Sequence, residues 1–289
     1  MQVAFADIDG IPTRYYHEGS GYPVLLLHGA GVSADTWIRN IDALAADFRV
    51  LAPDTLGHGF TGNGDYREGP PAPFVIKHLE AFVDHMKLDR FSVAGSSYGA
   101  VMAILLYFEM RERIEKLVLV SSGSSTLSEE EGLRVRKESF ANGISAIAEP
   151  TLESCRKRME NIFYDPAAVP DELILMQLTM YALPGVREMY EARMKGNMDL
   201  EAARPYRVAE RLHEIEVPTL MLFGRNDPRV NYAKAEEAAA SIARSRLIGF
   251  DECKHHPHVE HPQRFNALVR QFLTGTVLED LDASGVAAS

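Results

Sequence analysis

The stretch AGSSYGA, residues 94–100, decides how this chain reads. Gly95-Ser96-Ser97-Tyr98-Gly99 is a G-x-S-x-G pattern. It follows the apolar run FSVAG (91–95) and precedes the helical pattern from Tyr98 to Met110. A sharp strand-to-helix turn holds its central serine in a strained backbone and lifts the hydroxyl above the sheet edge. Small residues two positions to either side let strand and helix approach. The helix N-terminus supplies amides where negative charge develops. Glycines and serines also make ordinary turns, so the five letters alone carry little. The strand before and the helix after select Ser97, not Ser96, as the nucleophile.

Working outward, buried-type runs recur at VLLLHG (24–29), RVLAPD (49–54), KLVLVSS (116–122), PTLMLFG (218–224) and SRLIGF (245–250). Runs without polar alternation suit strands covered on both faces. Helical patterns at Ala34–Ala46, Phe74–Met86 and Tyr98–Met110 alternate with them, which predicts a parallel α/β sheet. The first residues, 4–19, read as two strands joined at Asp9-Gly10. Pro262 opens a last helix with Phe265, Leu268, Val269, Phe272 and Leu273 on one face. From 124 to 214 no buried strand is evident. The segment is rich in Glu, Arg, Met and Leu and broken at Pro150, Pro166, Pro170 and Pro184, which predicts a helical lid inserted after the sixth strand. The expected organisation is a core of residues 1–123 and 215–275, a lid of 124–214 and a flexible tail of 276–289.

Composition narrows the function. The chain has 289 residues, 46% of them apolar, and a formal net charge of −11. Such a surface repels phosphate backbones and anionic lipids, which argues against nucleic-acid and membrane partners. The apolar window 91–108 is interrupted by Gly95, Ser96, Ser97 and Gly99 and reads as strand, turn and helix, not a membrane span. The start, MQVAFADIDG, has neither a basic region nor a long apolar run, so no signal peptide is expected and a cytoplasmic protein is. The two cysteines, Cys155 and Cys253, are read as reduced thiols.

A serine needs an oxyanion site, a base and an acid. The elbow takes one oxyanion donor from the amide after the nucleophile, here Tyr98. The loop His28-Gly29-Ala30-Gly31 after an early strand supplies the second, assigned to Ala30, with Gly29 and Gly31 beside the substrate and His28 structural. Hydrolases with this elbow run serine, acid, histidine along the chain. Asp227 in GRNDP (224–228) lies in a turn past a late strand and is the candidate acid. The base lies in CKHHPHVEHP (253–262). Four histidines there raise the question of a metal. Pro257 and Pro262 break any continuous helix and no H-E-x-x-H occurs, so no metal and no cofactor is expected. A short loop after the last strand leaves His255 or His256 as the base.

HGAG, DTLGHGFTG, GSSYG, GRNDP and HHPHVEHPQRF together resemble the α/β-hydrolase superfamily over nearly the whole chain. The resemblance implies an α/β-hydrolase fold. Its histidine segment, laid over Pro257, Glu260, Pro262 and Phe265, assigns the base to His255, with Lys254 where a glycine is usual. VLAPDTLGHGFTG and the lid sequence 149–188 are similar to the meta-cleavage-product hydrolases, which split carbon–carbon bonds in vinylogous diketo acids from aromatic catabolism. Three positions depart from that pattern: Ser96 stands for asparagine, His256 for tryptophan, and Gln177 for a lid arginine that holds the substrate carboxylate. A charge-assisted contact of that kind is worth about 1.5–3 kcal/mol, much of which a neutral amide loses. Arg187 and Arg193 are the alternative lid cations.

The expectation is a serine hydrolase acting on a small ester or ketone-type C–C bond in an apolar or aromatic-derived molecule. The substrate pocket is assigned to Gly29, Gly31, Ser96, Gln177 and His256. A meta-cleavage-product hydrolase is the alternative, and a non-catalytic receptor of the same fold is the rival from another class. A homodimer is the assembly left open. Ser97 argues against the relatives that use an aspartate nucleophile.

Overall fold

The computed structural model describes residues 1–276. The tail expected at 276–289 therefore lies, but for Thr276, outside the described residues.

Eight strands form one sheet in the order β1-β2-β4-β3-β5-β6-β7-β8: β1 (Gln2–Ile8), β2 (Ile11–Glu18), β3 (Tyr22–Leu27), β4 (Phe48–Pro53), β5 (Phe91–Ser96), β6 (Ile114–Val120), β7 (Thr219–Gly224) and β8 (Ser245–Phe250). β1 and β2 pair antiparallel through a tight turn in which Asp9 and Gly10 both take positive φ, 51° and 80°. Two consecutive left-handed residues match the twist of a hairpin, and Asp-Gly tolerates them. β2 also runs antiparallel to β4, and every later pairing is parallel. The inner strands are continuously buried because helices cover both faces. On one face the helices Ala72–His85 and Tyr98–Glu109 bury Leu79, Phe82, Met102 and Leu106 against Leu25, Val93 and Leu117. On the other, Trp37 and the helix Pro262–Thr274 pack Phe265, Leu268 and Val269 against Leu26, Val118 and Leu220.

The helix expected over Ala34–Ala46 is instead a 3-10 turn, Ala34–Trp37, and a single α turn, Ile41–Leu44. Two buried polar residues explain the break. The Asp35 carboxylate turns inward to Arg14, and the Asn40 amide donates to the His258 carbonyl at 2.9 Å and to Asn266 at 2.8 Å. Tertiary partners outweigh propensity here.

Between β6 and β7 the described residues contain helices and no strand. The main ones are Glu129–Ala148, Leu152–Glu160, Asp171–Tyr181 and Val186–Met198. Capping boxes start the first two: Ser128 with Glu131, and Thr151 with Ser154. Pro150 follows the first helix end, while Pro170 and Pro184 flank the third. This insert has an apolar centre of its own, with Met159, Phe163, Tyr181 and Met194 buried together. The helix after the serine runs only from Tyr98 to Glu109, and no described helix is long and apolar enough to cross a membrane.

The chain leaves β3 toward β4 on one side and returns to β5 on the other. Ligand sites in open α/β sheets lie at such a switch point, beyond the carboxyl ends of the strands. Here those ends carry Gly29–Gly31 and Ser97.

Candidate active site

Ser97 directly follows β5 and has φ 54° and ψ −113°, a conformation that side chains rarely adopt. Its neighbours enforce it. A Cβ on Gly95 would fall on the Gly99 carbonyl, and one on Gly99 would fall on the Leu27 carbonyl, so neither position has room for a side chain. The Ser97 amide donates to the Val120 carbonyl at 2.8 Å, anchoring the turn to β6.

His255 Nε2 lies 3.0 Å from Ser97 Oγ, and His255 Nδ1 lies 2.7 Å from Asp227 Oδ2. The carboxylate only accepts, so Nδ1 donates to it and the Nε2 lone pair faces the serine hydroxyl. The acid and the base are set by adjoining loops. Arg225 and Asn226 amides donate to the Phe250 and Cys253 carbonyls at 2.9 and 3.0 Å, zipping the loop after β7 to the loop after β8. Asp227 Oδ1 accepts the Arg229 amide at 2.9 Å. Glu260 braces the histidine loop: its carboxylate accepts the amides of Lys254 and His256, and that of Tyr164 from the insert at 2.7 Å. The His255 amide in turn donates to the Ile162 carbonyl at 3.2 Å. The insert therefore touches the base loop directly. Sequence reading uses Glu260 only to set the register. Its bracing is invisible there, because it depends on two segments meeting.

Ala30, Ser97, Tyr98 and His255 line one cavity of about 120 Å³. Tyr98 opens its helix, so its amide belongs to the first turn and has no i−4 carbonyl. Ala30 sits in the turn after β3. His28 holds that turn: its Nε2 accepts the Thr55 amide at 3.0 Å, and its Nδ1 donates to the Gly29 carbonyl at 2.8 Å. Burial pushes the His28 imidazole pKa down, which suits this neutral, structural use.

The rest of the expected pocket is corrected. Gln177 does not line the cavity. It is buried within the insert, where its amide donates to Met159 Sδ at 2.7 Å. Ser96 and Gly29 lie behind the serine: Ser96 is fully buried, and a Cβ on Gly29 would stand 3.4 Å from Ser97 Cβ. Gly31 borders smaller spaces with Tyr190 and Arg193. His256 packs behind His255, ring centroids 5.2 Å apart, and against Phe163 at 5.6 Å. Burial, then the neighbouring His255, hold its pKa well below the usual range. Of the alternative cations, neither lines this cavity, although Arg193 borders a smaller space beside Ala30 and Tyr98. Arg187 is exposed and paired with Glu191, and Arg193 donates to the Leu56 and Gly57 carbonyls. The cavity is instead lined by Arg136, Arg207 and Arg229. Sequence reading missed all three, because helical periodicity does not say which face of the insert meets the serine. Of the four histidines of 253–262, His255, His256 and His258 follow one another with ring centroids 5.2 and 5.4 Å apart, His258 also lies tilted against Trp37 at 4.3 Å, and His261 bonds to the Glu252 carbonyl.

Comparison with known proteins shows the family. A family model described as the alpha/beta hydrolase family matches residues 24–268. The chain is 31% identical over 280 residues to a 2-hydroxy-6-oxononadienedioate/2-hydroxy-6-oxononatrienedioate hydrolase of Pseudomonas putida, covering 95% of each. It is 29% identical to a 2-hydroxy-6-oxo-2,4-heptadienoate hydrolase of the same species, over 91% of this chain and 93% of that one. A solved meta-cleavage product hydrolase from Pseudomonas fluorescens IP01 superimposes with a TM-score of 0.78 at 26% identity, covering 94% of this chain and 97% of that one. With a matching family model across most of its length and relatives named as hydrolases, the chain belongs to the alpha/beta hydrolase family and is an enzyme of that family.

Proposed function

We propose that this enzyme is a serine hydrolase that splits the C–C bond beside the ketone of 2-hydroxy-6-oxo-dienoic acids. The observation that carries the chemistry is the hydrogen-bonded line Asp227–His255–Ser97 ending in a cavity. The substrate class rests on the names of relatives that match this chain almost end to end. His255, oriented by Asp227, takes the Ser97 proton as Oγ attacks the ketone carbon. The Ala30 and Tyr98 amides hold the oxyanion. Before this attack the dienol becomes its keto tautomer, the 2-hydroxyl losing a proton and the carbon beside the ketone gaining one. When the carbon–carbon bond then breaks, its electrons pass through the conjugated double bond to the 2-oxygen, which takes the proton held by His255. Water, activated by His255, frees the acyl group from Ser97 as a carboxylic acid. The helices within 124–214 act as a lid on the 1–123 and 215–275 core, since both they and the elbow line the cavity.

Carboxylester hydrolysis is the second reading, favoured by the withdrawal of Gln177 from the cavity. The two separate by assay. A 2-hydroxy-6-oxo-dienoate, followed by loss of its dienolate absorbance, should be turned over with kcat/KM at least about 100-fold above that of p-nitrophenyl acetate. Turnover of esters alone would establish a carboxylesterase, and binding without turnover of either a receptor. Ser97→Ala should abolish turnover by a factor of about 10³ or more. Retained activity would remove Ser97 from the mechanism.

A further inference from the structure

The Ser97 cavity contains a charge imbalance that the proposed bond cleavage does not use. Among the described residues, its lining includes three arginines and neither an aspartate nor a glutamate. Withdrawing a guanidinium from water without a counter-charge is costly, so each arginine's partner matters. Arg207 is satisfied, by Glu129 and by Glu210 at 3.0 Å. Arg136 is not. Its Nε is buried with no hydrogen-bond partner, and no described carboxylate pairs with it. Glu129 is committed to Arg207, and Glu138, on the same helix, pairs with Arg134 at 2.7 Å. Gly132, one turn back, gives the side chain room to lie along the helix: a Cβ there would come within 3.2 Å of Arg136 Nη1. Arg229 is likewise unpaired. Its near acid, Asp227, has one oxygen on His255 and the other on the Arg229 backbone amide. Burial, reinforced by Arg207 for Arg136 and offset by Asp227 for Arg229, lowers both guanidinium pKa values. Two cations are thus held in a cavity lined by no carboxylate among the described residues.

We propose that Arg136 and Arg229 form a carboxylate subsite inside the Ser97 cavity, and that the enzyme selects substrates bearing an acid group that reaches it. This deepens the reading of Ser97 as the nucleophile of that cavity. Neither arginine stands where the resembled enzymes carry theirs, the position of Gln177, so the anion site has moved from the third long helix of the insert to the first and to the acid loop. A carboxylate beside either guanidinium would take charge-assisted hydrogen bonds from it.

Matched esters test this and show which half of the substrate carries the acid. Monoethyl glutarate and ethyl pentanoate differ by an acid on the acyl half. The pentanoate ester of 3-hydroxypropanoate places the acid on the alcohol half. The wild-type enzyme should show a KM at least about tenfold lower for one of the acidic esters than for ethyl pentanoate. Arg136→Gln and Arg229→Gln should each reduce that ratio at least about fivefold, and Arg136→Lys should restore part of it. Equal KM values for all three esters, or ratios untouched by both glutamine variants, would overturn the subsite. Glutarate titrated calorimetrically into the wild-type enzyme, with glutaramide as the neutral control, gives a readout independent of turnover. Glutarate alone should release heat, and Arg136→Gln or Arg229→Gln should weaken its binding at least about fivefold. If turnover of both the esters and a 2-hydroxy-6-oxo-dienoate is absent but glutarate binds in this way, the nucleophile reading fails and the subsite stands. If glutarate and glutaramide bind alike, the subsite fails whatever the turnover.

Discussion

Two groups of buried carboxylates flank the carboxyl edge of the sheet, and they are put to opposite uses. On one side Asp35 and Asp54 close on Arg14, whose guanidinium donates to Asp35 at 2.6 Å and to Asp54 at 2.7 and 2.9 Å. Tyr16 and Ser33 hydroxyls also donate to Asp35, and the Ala34 and Phe60 amides donate to Asp54 at 2.9 Å. Burial opposes the charge on Arg14, but the hydrogen bonds and charges of the two aspartates outweigh it and raise its pKa. The set is saturated, and it ties the loop after β3 to the loop after β4. On the other side Asp227 has only His255 and one backbone amide, and its line of hydrogen bonds ends on a hydroxyl that lines a cavity. A closed set of partners fixes loops; a set with an open end leaves a group free to react.

Substitutions should separate these uses. Asp227→Asn leaves the shape of its site intact but makes the side chain a donor toward His255 Nδ1 and removes the charge that balances an imidazolium. We expect kcat to fall by about 10⁴-fold, with little change in melting temperature. Steady-state kinetics and a thermal melt on one preparation decide it. A loss of stability as large as the loss of activity would make Asp227 a structural acid like Asp54. Arg14→Met is the converse. It strands two carboxylates, so about 3–5 kcal/mol of stability and roughly 6–20 °C of melting temperature should be lost. Below the transition the surviving enzyme should retain most of its kcat. A variant that melts normally but has lost its activity would place this network in the chemistry.

The contrast also explains what was legible in the sequence. Gly95 and Ser97 are constrained by Gly99 and by the next strand, and Gly99 by Leu27 on the neighbouring strand, so the spacing announces the turn once a strand precedes it and a helix follows. Asp227 follows from a strand end, which is also local, while the last strand's end leaves His255 or His256 open and the family resemblance, in register over Pro257, Glu260, Pro262 and Phe265, selects His255. The inner strands, β3 to β7, show as unbroken apolar runs because both faces are covered, whereas β8 at the sheet edge is only partly buried. The Ala34–Ala46 pattern misleads because Asp35 and Asn40 are held by residues far away in the chain. Gln177 misleads for the same reason: the resemblance places it where a lid arginine would meet the substrate, but packing on Met159 keeps it out of the cavity. Arg136 and Arg229 are ordinary charged residues until a cavity without acids surrounds them.

The same distinction recurs within one loop. His255 has a carboxylate partner, while His258 has both ring nitrogens buried and unpaired, between Trp37 and Phe265. Burial, with a smaller push from His255, lowers the His258 pKa to about 3. His78 is lowered to about 4 by burial, and His58 is also held well below its usual range. In the unfolded chain each histidine titrates near about 6.5. Below that value the unfolded state binds protons that the folded state refuses, so stability is full above about pH 6.5 and falls with acidification. Each such histidine contributes a slope of up to about 1.4 kcal/mol per pH unit until its folded pKa is reached. His258→Phe keeps a ring of similar shape beside Trp37 and removes the titration. We expect it to melt at or slightly above the wild type at pH 7, and to gain on it steadily down to pH 5. Urea denaturation at three pH values measures the difference in slope. Parallel curves would mean that His258 takes up its proton as readily in the fold as in the unfolded chain, and the division between partnered and unpartnered histidines would fail at that position.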